Sequence, residues 1–484
     1  MTPRRRIAVV LAAILALLAG CGGGDKASQG SIAESLGYLP KDSALVVALD
    51  TDTKSGQYKN IDRVLGRFAF GGQIKNQLRQ LYARGGRDYD RDIAPLLGNP
   101  VVIGSADTNA LLRGETRGAL LVAWKTKDAD KMRKSIKAMG QRKIGTIEGA
   151  DAYEAPDGFV STARGDQFVG SYSRPLLAQA LKTHGGPGKM TEADLDGDFQ
   201  GLPDDSILRV TGDAHALINS SPESAAARKI KWVAGLRRFA AALTVDGDGV
   251  AVDARVATEG VGEGDLPIAG GDASPALARF SDYSLGARDL SHAARFILGA
   301  VRSTDPPEFA DFEKQARTFR QKTGVDVERD LIDQFSGGTT VAGGFDGSYG
   351  LRATVGDPAA MRSTLAKLGR AGRVDDTTFS QEGGLVKAVD DDGPTYLGMI
   401  GDVFVAGPDP GVARQLASVD PAPVDGARGS IVFVTDGEKI ANTIIKRSGR
   451  NGSAALFTGP IGDLTAWVTA SPTGLLGHAK LKVE

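Results

Sequence analysis

The chain of 484 residues contains a single cysteine, Cys21, and four histidines. One thiol cannot form a disulfide within a molecule, so stability has to come from buried apolar surface. A chain of this length with 41% hydrophobic residues can fill one or two cores. His184, His215, His292 and His478 are scattered, without the i, i+4 pairing of a zinc helix, so no metal site is expected. The sequence also lacks a Gly-x-Ser-x-Gly nucleophile turn, any Ser-x-x-Lys, and a glycine-rich phosphate loop after a strand. No catalytic residue and no cofactor is therefore expected. There is no excess of either charge: 58 basic and 59 acidic residues leave a formal net charge of −1, which gives no support to nucleic-acid binding. Long apolar runs are missing as well. The longest, Ile7 to Ala19, is too short to span a bilayer as a mature helix.

That one run is informative. Arg4, Arg5 and Arg6 precede it, giving the basic start and apolar core of a secretory signal. Leu18-Ala19-Gly20-Cys21 stands where cleavage should fall and resembles the lipobox of bacterial lipoproteins. The resemblance implies a signal peptide over 1–20, removed before Cys21, and a diacylglycerol on the Cys21 thiol. The expected location is extracytoplasmic, on the cell membrane, with that lipid as anchor. Export unfolded by the general secretory route argues against a cofactor loaded in the cytoplasm. Residues 21–34 begin with Gly22, Gly23 and Gly24 and read as a flexible tether, its ends on the order of 20 Å apart as a random coil. Two or more acyl chains would make the anchor effectively permanent.

Past the tether the sequence repeats itself. Asp128 opens a helix carrying Met132, Ile136 and Met139, and Asp357 opens another carrying Met361, Leu365 and Leu368 at the same spacing. Aspartate is a good N-cap and Pro358 suits the first helical turn; Gly140 and Gly369 stand where a left-handed C-terminal residue is favoured. Gly165-Asp166-Gln167-Phe168-Val169 then matches Gly401-Asp402-Val403-Phe404-Val405. Each leads into a short helix, one beginning at Ser173 and the other at Asp409. Ser206 to Thr211 matches Ser430 to Thr435, and each half ends in an alternating hairpin, around Asp246–Gly249 and Ser471–Gly474. Weaker matches link Ala44–Leu49 with Tyr283–Ala287 and Arg91-Asp92-Ile93 with Arg329-Asp330-Leu331. Helical spacing is also present at Ile61, Val64, Leu65 and Phe68, at Ile74, Leu78 and Leu81, and at Phe309, Phe312, Ala316 and Phe319.

Many strands joined by short Gly-Asp turns, with helices between them, predict an α+β fold. It consists of two tandem pseudo-repeats, each a mainly antiparallel sheet with packed helices. The turns are too short for the crossover helices of a doubly wound parallel sheet. The expected division is repeat 1 over 35–260, a glycine-rich acidic linker over 261–278, and repeat 2 over 279–484. The stretch Leu36-Gly37-Tyr38-Leu39-Pro40-Lys41-Asp42-Ser43-Ala44-Leu45, a Leu-Pro-x-Asp turn entering an apolar strand, resembles the opening of a bacterial family known as domain of unknown function 3352. That resemblance implies no activity, substrate or catalytic residue. Richness in glycine, alanine, arginine and aspartate also resembles the products of high-GC actinobacterial genomes.

Several suggestive patterns have plainer readings. Arg164-Gly165-Asp166 matches an adhesive tripeptide, but its repeat partner is Ile400-Gly401-Asp402, so the shared part is a Gly-Asp turn. Asp194-Leu195-Asp196-Gly197-Asp198 has its glycine two positions early for a calcium loop and reads as an acidic loop. Asp390-Asp391-Asp392-Gly393 reads as a solvated turn, and Lys322-Thr323-Gly324 as a helix end. One cluster invites a functional hypothesis. Arg228, Lys229, Lys231, Arg237 and Arg238 surround Trp232, and Lys446, Arg447 and Arg450 occupy the corresponding stretch of the second half. Basic residues beside an aromatic suit anionic lipid headgroups, although a solvated helix face has the same composition. The expected function is a noncatalytic binding or envelope-assembly module, with another envelope protein or a lipid as partner. The alternative is a carrier or sensor of a hydrophobic ligand lined by the repeated helix faces, and a divergent hydrolase stands third.

Overall fold

A computed structural model describes residues 30–69, 71–72, 80, 88–105, 107–114, 116–138, 140–345, 347–447 and 458–484. The stretch expected to be a signal peptide, with Leu18, Ala19 and Gly20, the expected lipidation residue Cys21 and residues 21–29 of the expected tether lie outside the described residues. So do Met139, the helix expected at Ile74, Leu78 and Leu81, and Arg450. Two compact units are present. One comprises the described residues up to Pro222 with Arg237–Val256 and Lys482–Glu484; the other comprises Glu223–Leu236 and Ala257–Leu481.

The first unit is built outward from β1 (Leu45–Leu49), whose Val46, Ala48 and Leu49 are buried. It pairs antiparallel with β2 (Val101–Ser105), Val47 opposite Ile103, and with β8 (Leu208–Asp213), Val47 opposite Val210. On one side β2 is followed by β3 (Leu121–Lys125), β7 (Gln167–Ser171), β6 (Val160–Arg164), β5 (Ala150–Glu154) and β4 (Arg142–Ile147). On the other, β8 pairs with β9 (Leu236–Val245), which an Asp246–Gly249 turn joins to β10 (Gly249–Thr258). In that turn the Asp246 N–H donates to the Gly249 carbonyl oxygen (3.1 Å) and the Asp248 N–H to Asp246 Oδ1 (2.8 Å).

The second unit is centred on β11 (Tyr283–Arg288), which lies between β12 (Gly338–Gly343) and β19 (Ile431–Asp436). From β12 the sheet continues through β13 (Tyr349–Thr354), β18 (Val403–Gly407), β17 (Gly393–Ile400), β16 (Leu385–Asp390) and β15 (Thr377–Glu382) to β14 (Arg373–Val374). Beyond β19 comes β20 (Ile461–Ser471), and a Ser471–Gly474 turn leads to β21 (Gly474–Val483). Each of these ladders is antiparallel, so the chain is an α+β protein, as its short turns predict. Stretch 261–278, read from composition as a linker, contains Leu266 and Leu277, both fully buried in this unit.

Helices cover the sheets through the apolar positions seen in the sequence. In the first unit Met132 and Ile136, on the Ala129–Ala138 helix, pack with Leu96, Tyr153 and Phe168. In the second, Met361, Leu365 and Leu368, on the Pro358–Leu368 helix, pack with Val325, Ala353, Val386 and Phe404. Burying such a side chain is worth about 1.5–3 kcal/mol, enough to fix which helix face turns inward. The capping residues act as expected: Lys131 N–H donates to Asp128 Oδ1 (2.9 Å), while Ala359 and Ala360 N–H both donate to Asp357 Oδ1 (2.9 Å each). Gly140 adopts the left-handed conformation (φ +69°), but Gly369 does not (φ −61°). A Cβ there would stand 2.7 Å from Cγ of the exposed Gln381 side chain, which would have to shift to admit it.

One other expectation is corrected. The acidic stretch Asp194–Asp198 is no loop but part of a helix, Glu192–Asp198, started by a capping box. Thr191 Oγ1 accepts from Asp194 N–H (3.3 Å) and Asp194 Oδ2 accepts from Thr191 N–H (3.0 Å), a Thr-x-x-Asp signal legible in the sequence. The apolar faces of the Ala129–Ala138 and Pro358–Leu368 helices pack into core, Met132 and Ile136 in one unit and Met361, Leu365 and Leu368 in the other. Gly165 (φ +62°) and Gly401 (φ +60°) form the β6–β7 and β17–β18 turns, and Gly324 (φ +70°) closes the Pro306–Thr323 helix.

Candidate functional site

The second unit contains a cleft of about 410 Å³, within the range of small-molecule sites. One wall is the Leu290–Thr304 helix and the other runs from Lys229 through Trp232, with Gly264 and Asp265 between them. The helix is set by Asp289, which takes the left-handed conformation (φ 55°) and accepts from His292 N–H (3.0 Å) and Ser291 Oγ–H (2.5 Å). His292, Arg295, Phe296, Gly299, Ala300 and Ser303 then recur every three or four residues, so that one stripe of the helix faces the cleft. Its middle is apolar and its ends are polar. Ile297, on the same helix, is 59% exposed.

The opposite wall is anchored by Leu266, fully buried with Val261 and Ala470, against which Trp232 packs. His292 Nε2 donates to the Leu266 carbonyl oxygen (2.9 Å), tying helix to wall. The Trp232 Nε1–H is shielded from water with no acceptor among the described residues, which costs about 1–3 kcal/mol. Lys231 Nζ lies 2.5 Å from Asp265 Oδ2, which also accepts from Gly262 N–H (2.8 Å). The Lys231 hydrogen bond, with the Gly262 one behind it, holds the Asp265 carboxyl below the usual carboxylate range. Arg295 donates through Nη2 to Asp333 Oδ1 (2.7 Å). Exposed Lys229 has no ion-pair partner among the described residues.

Of the basic cluster seen in the sequence, Lys229, Lys231 and Trp232 line the cleft, while Arg228 lies on the same turn outside the lining. Arg238 does not join them. It belongs to the first unit, where its Nε lies 2.7 and 2.8 Å from the two carboxylate oxygens of Asp198. Lys446 and Arg447 end the Gly437–Arg447 helix, and their side chains are outside the described structure. His292 stands in the sequence only as one of four scattered histidines, and Arg295, Phe296, Gly299 and Ser303 were missed; the available signal was the helical spacing of Phe296 and Ala300 after an Asp289 cap. No group of three or more histidine, cysteine, aspartate or glutamate residues positioned for a metal ion is found among the described residues. A hollow of about 290 Å³ in the first unit includes Arg142 and Glu154. There Glu154 is held by Arg142 (3.0 Å) and Arg174 (3.2 Å), which closes its charge.

Taken together, sheets and cleft define an α+β protein with a cationic, aromatic-walled pocket. Residues 6–155 match the model of the family described as protein of unknown function, DUF3352, which bears out the resemblance drawn from Leu36 to Leu45. No curated protein matches the chain. Solved structures of TP0453 resemble it weakly. Crystal form IV has a TM-score of 0.28 at 9% identity, covering 46% of this chain and 81% of that one. Crystal form I has a TM-score of 0.27 at 11% identity, covering 48% and 80%. At such TM-scores the likeness bears on neither fold nor function. Among the described residues no helix is long and apolar enough to cross a membrane.

Proposed function

We propose that the chain is a noncatalytic binding module of the cell envelope, exported and held at the membrane by lipid on Cys21, with its ligand site in the cleft of the second unit. The observation that carries this reading is the cleft itself: a pocket of ligand size with an aromatic wall and a lysine, Lys229, without an ion-pair partner among the described residues. The basic start, apolar run and Leu18-Ala19-Gly20-Cys21 ending support the address. The core packing of the repeated helix faces weighs against a carrier that encloses a whole lipid between sheet and helices.

The two units are, in this reading, copies of one ancestral fold. Strand order supports it: β1 lies between β2 and β8 as β11 lies between β12 and β19, and β2-β3-β7-β6-β5 runs as β12-β13-β18-β17-β16. An unusual turn recurs as well. Asp88 N–H donates to Asp92 Oδ2 (2.9 Å) and Arg91 Nε to Asp92 Oδ1 (2.7 Å). Asp326 N–H and Arg329 Nε make the same two bonds to Asp330, at 2.9 and 2.7 Å. On this view the copies diverged, and the second kept or gained the cleft. Native mass spectrometry of protein extracted from its host's membranes tests the binding role. The expected spectrum contains the acylated chain with a noncovalent adduct that collisional activation strips away. A bare acylated chain in every preparation would contradict a ligand-holding role.

A further inference from the structure

The geometry points to a chemical class for the ligand: a single-chain anionic phosphodiester lipid, its phosphate at Lys229 and the start of its acyl chain between Trp232, Phe296 and Ala300. This rests on the cleft being the ligand site.

Charge bookkeeping in the cleft selects the headgroup. Lys231 is neutralised by Asp265 at 2.5 Å and Arg295 by Asp333 at 2.7 Å, which leaves Lys229 as the lining cation without an ion-pair partner among the described residues. One uncompensated positive charge matches one negative charge. A phosphodiester carries a single charge, whereas a phosphate monoester would bring a second charge with nothing to meet it. Lysine binds phosphate as a compact point charge, without the forked geometry a carboxylate favours from arginine.

The walls select what is attached to the phosphate. Between the polar ends of the helix stripe lie Phe296, Gly299 and Ala300, and Ile230 and Trp232 face them across the cleft. Gly299 leaves the floor open: a Cβ at that position would meet nothing within 4 Å. Ser303 Oγ–H donates to the Gly299 carbonyl oxygen (2.8 Å), so the hydroxyl hydrogen is engaged and its oxygen remains an acceptor in the lining. A cleft of about 410 Å³ takes a headgroup and the first part of one chain rather than a two-chain lipid. An inorganic anion would leave the aromatic wall without purpose, and a neutral amphiphile would leave Lys229 unmatched.

The test is a titration of the detergent-solubilised full chain, with the bound fraction read by native mass spectrometry for lysophosphatidylglycerol, lysophosphatidylcholine and glycerol phosphate. The expected result is that lysophosphatidylglycerol binds at least ten times more tightly than either of the others. Lys229→Glu, on an exposed side chain and verified as folded by circular dichroism, abolishes that preference. Equal binding of the two lysolipids would overturn the anionic class while leaving the cleft as a ligand site. Equal binding of glycerol phosphate would show a phosphate site with no lipid component. A preference that survives in Lys229→Glu would place the lipid elsewhere and overturn the assignment. Absence of binding by all three would remove the reading of the cleft together with the inference.

Discussion

At the scale of single residues, glycine separates into kinds that the sequence does not distinguish. Gly429 has φ +81° and would place a Cβ 2.3 Å from the Val468 carbonyl oxygen, so both backbone conformation and space forbid a side chain. Gly429→Ala is expected to destabilise the protein by more than about 1 kcal/mol in urea unfolding. Gly299 is the opposite case, a helical glycine with open space beside it. Gly299→Ala is expected to stabilise by about 0.5–1 kcal/mol, since it removes the entropic cost of glycine in a helix. Core positions follow volume: Met361 is fully buried among Val325, Ala353 and Phe404, and Met361→Ala should cost about 2–5 kcal/mol. A wild-type midpoint for Met361→Ala would mean that the helix face does not pack as described.

Elements were legible where their chemistry is local. Asp128, Asp357, Ser173 and Asp409 cap helices because the bond each makes reaches only two or three residues along the chain. Gly165 and Gly401 make turns for the same reason. Readings that failed depended on partners far away in sequence. Gly369 lies against Gln381 of a strand distant in sequence, and the cleft joins Lys229–Trp232 to His292–Ser303, two segments that neither periodicity nor turn chemistry connects. The acidic helix Glu192–Asp198 was readable from Thr191 and Asp194, but the count of aspartates suggested a loop instead.

One element also carries a pH dependence. His184, in the last turn of the Arg174–His184 helix, stacks on Tyr38 with ring centroids 4.2 Å apart. Burial, reinforced by Lys189, pushes its imidazole below the usual value of 6.5, and burial raises the Tyr38 phenol to about 12. The unfolded chain therefore takes up the His184 proton first as pH falls. The stabilisation is fully present above about 6.5 and declines as pH drops below it toward the folded value. Urea midpoints of the wild type should fall across that window, and His184→Phe should flatten the fall. An unchanged slope in the variant would assign the pH dependence to other groups.

For the molecule as a whole, the proposed function combines an expected address in the first twenty-one residues with a cleft in the second unit. The chemistry of the cleft is that of Lys229, the Lys231–Asp265 pair, the Trp232 indole and one stripe of the Leu290–Thr304 helix. Were the chain tethered as proposed, an anionic amphiphile would lie within its reach. The proposed address depends on a lipid at Cys21. The decisive measurement is fractionation of host cells labelled with radioactive palmitate, expressing either the wild-type chain or Cys21→Ser. The account predicts label and membrane association for the wild type, and an unlabelled variant released from the membrane yet still folded. A Cys21→Ser chain that carries no palmitate and nevertheless stays in the membrane fraction would contradict it.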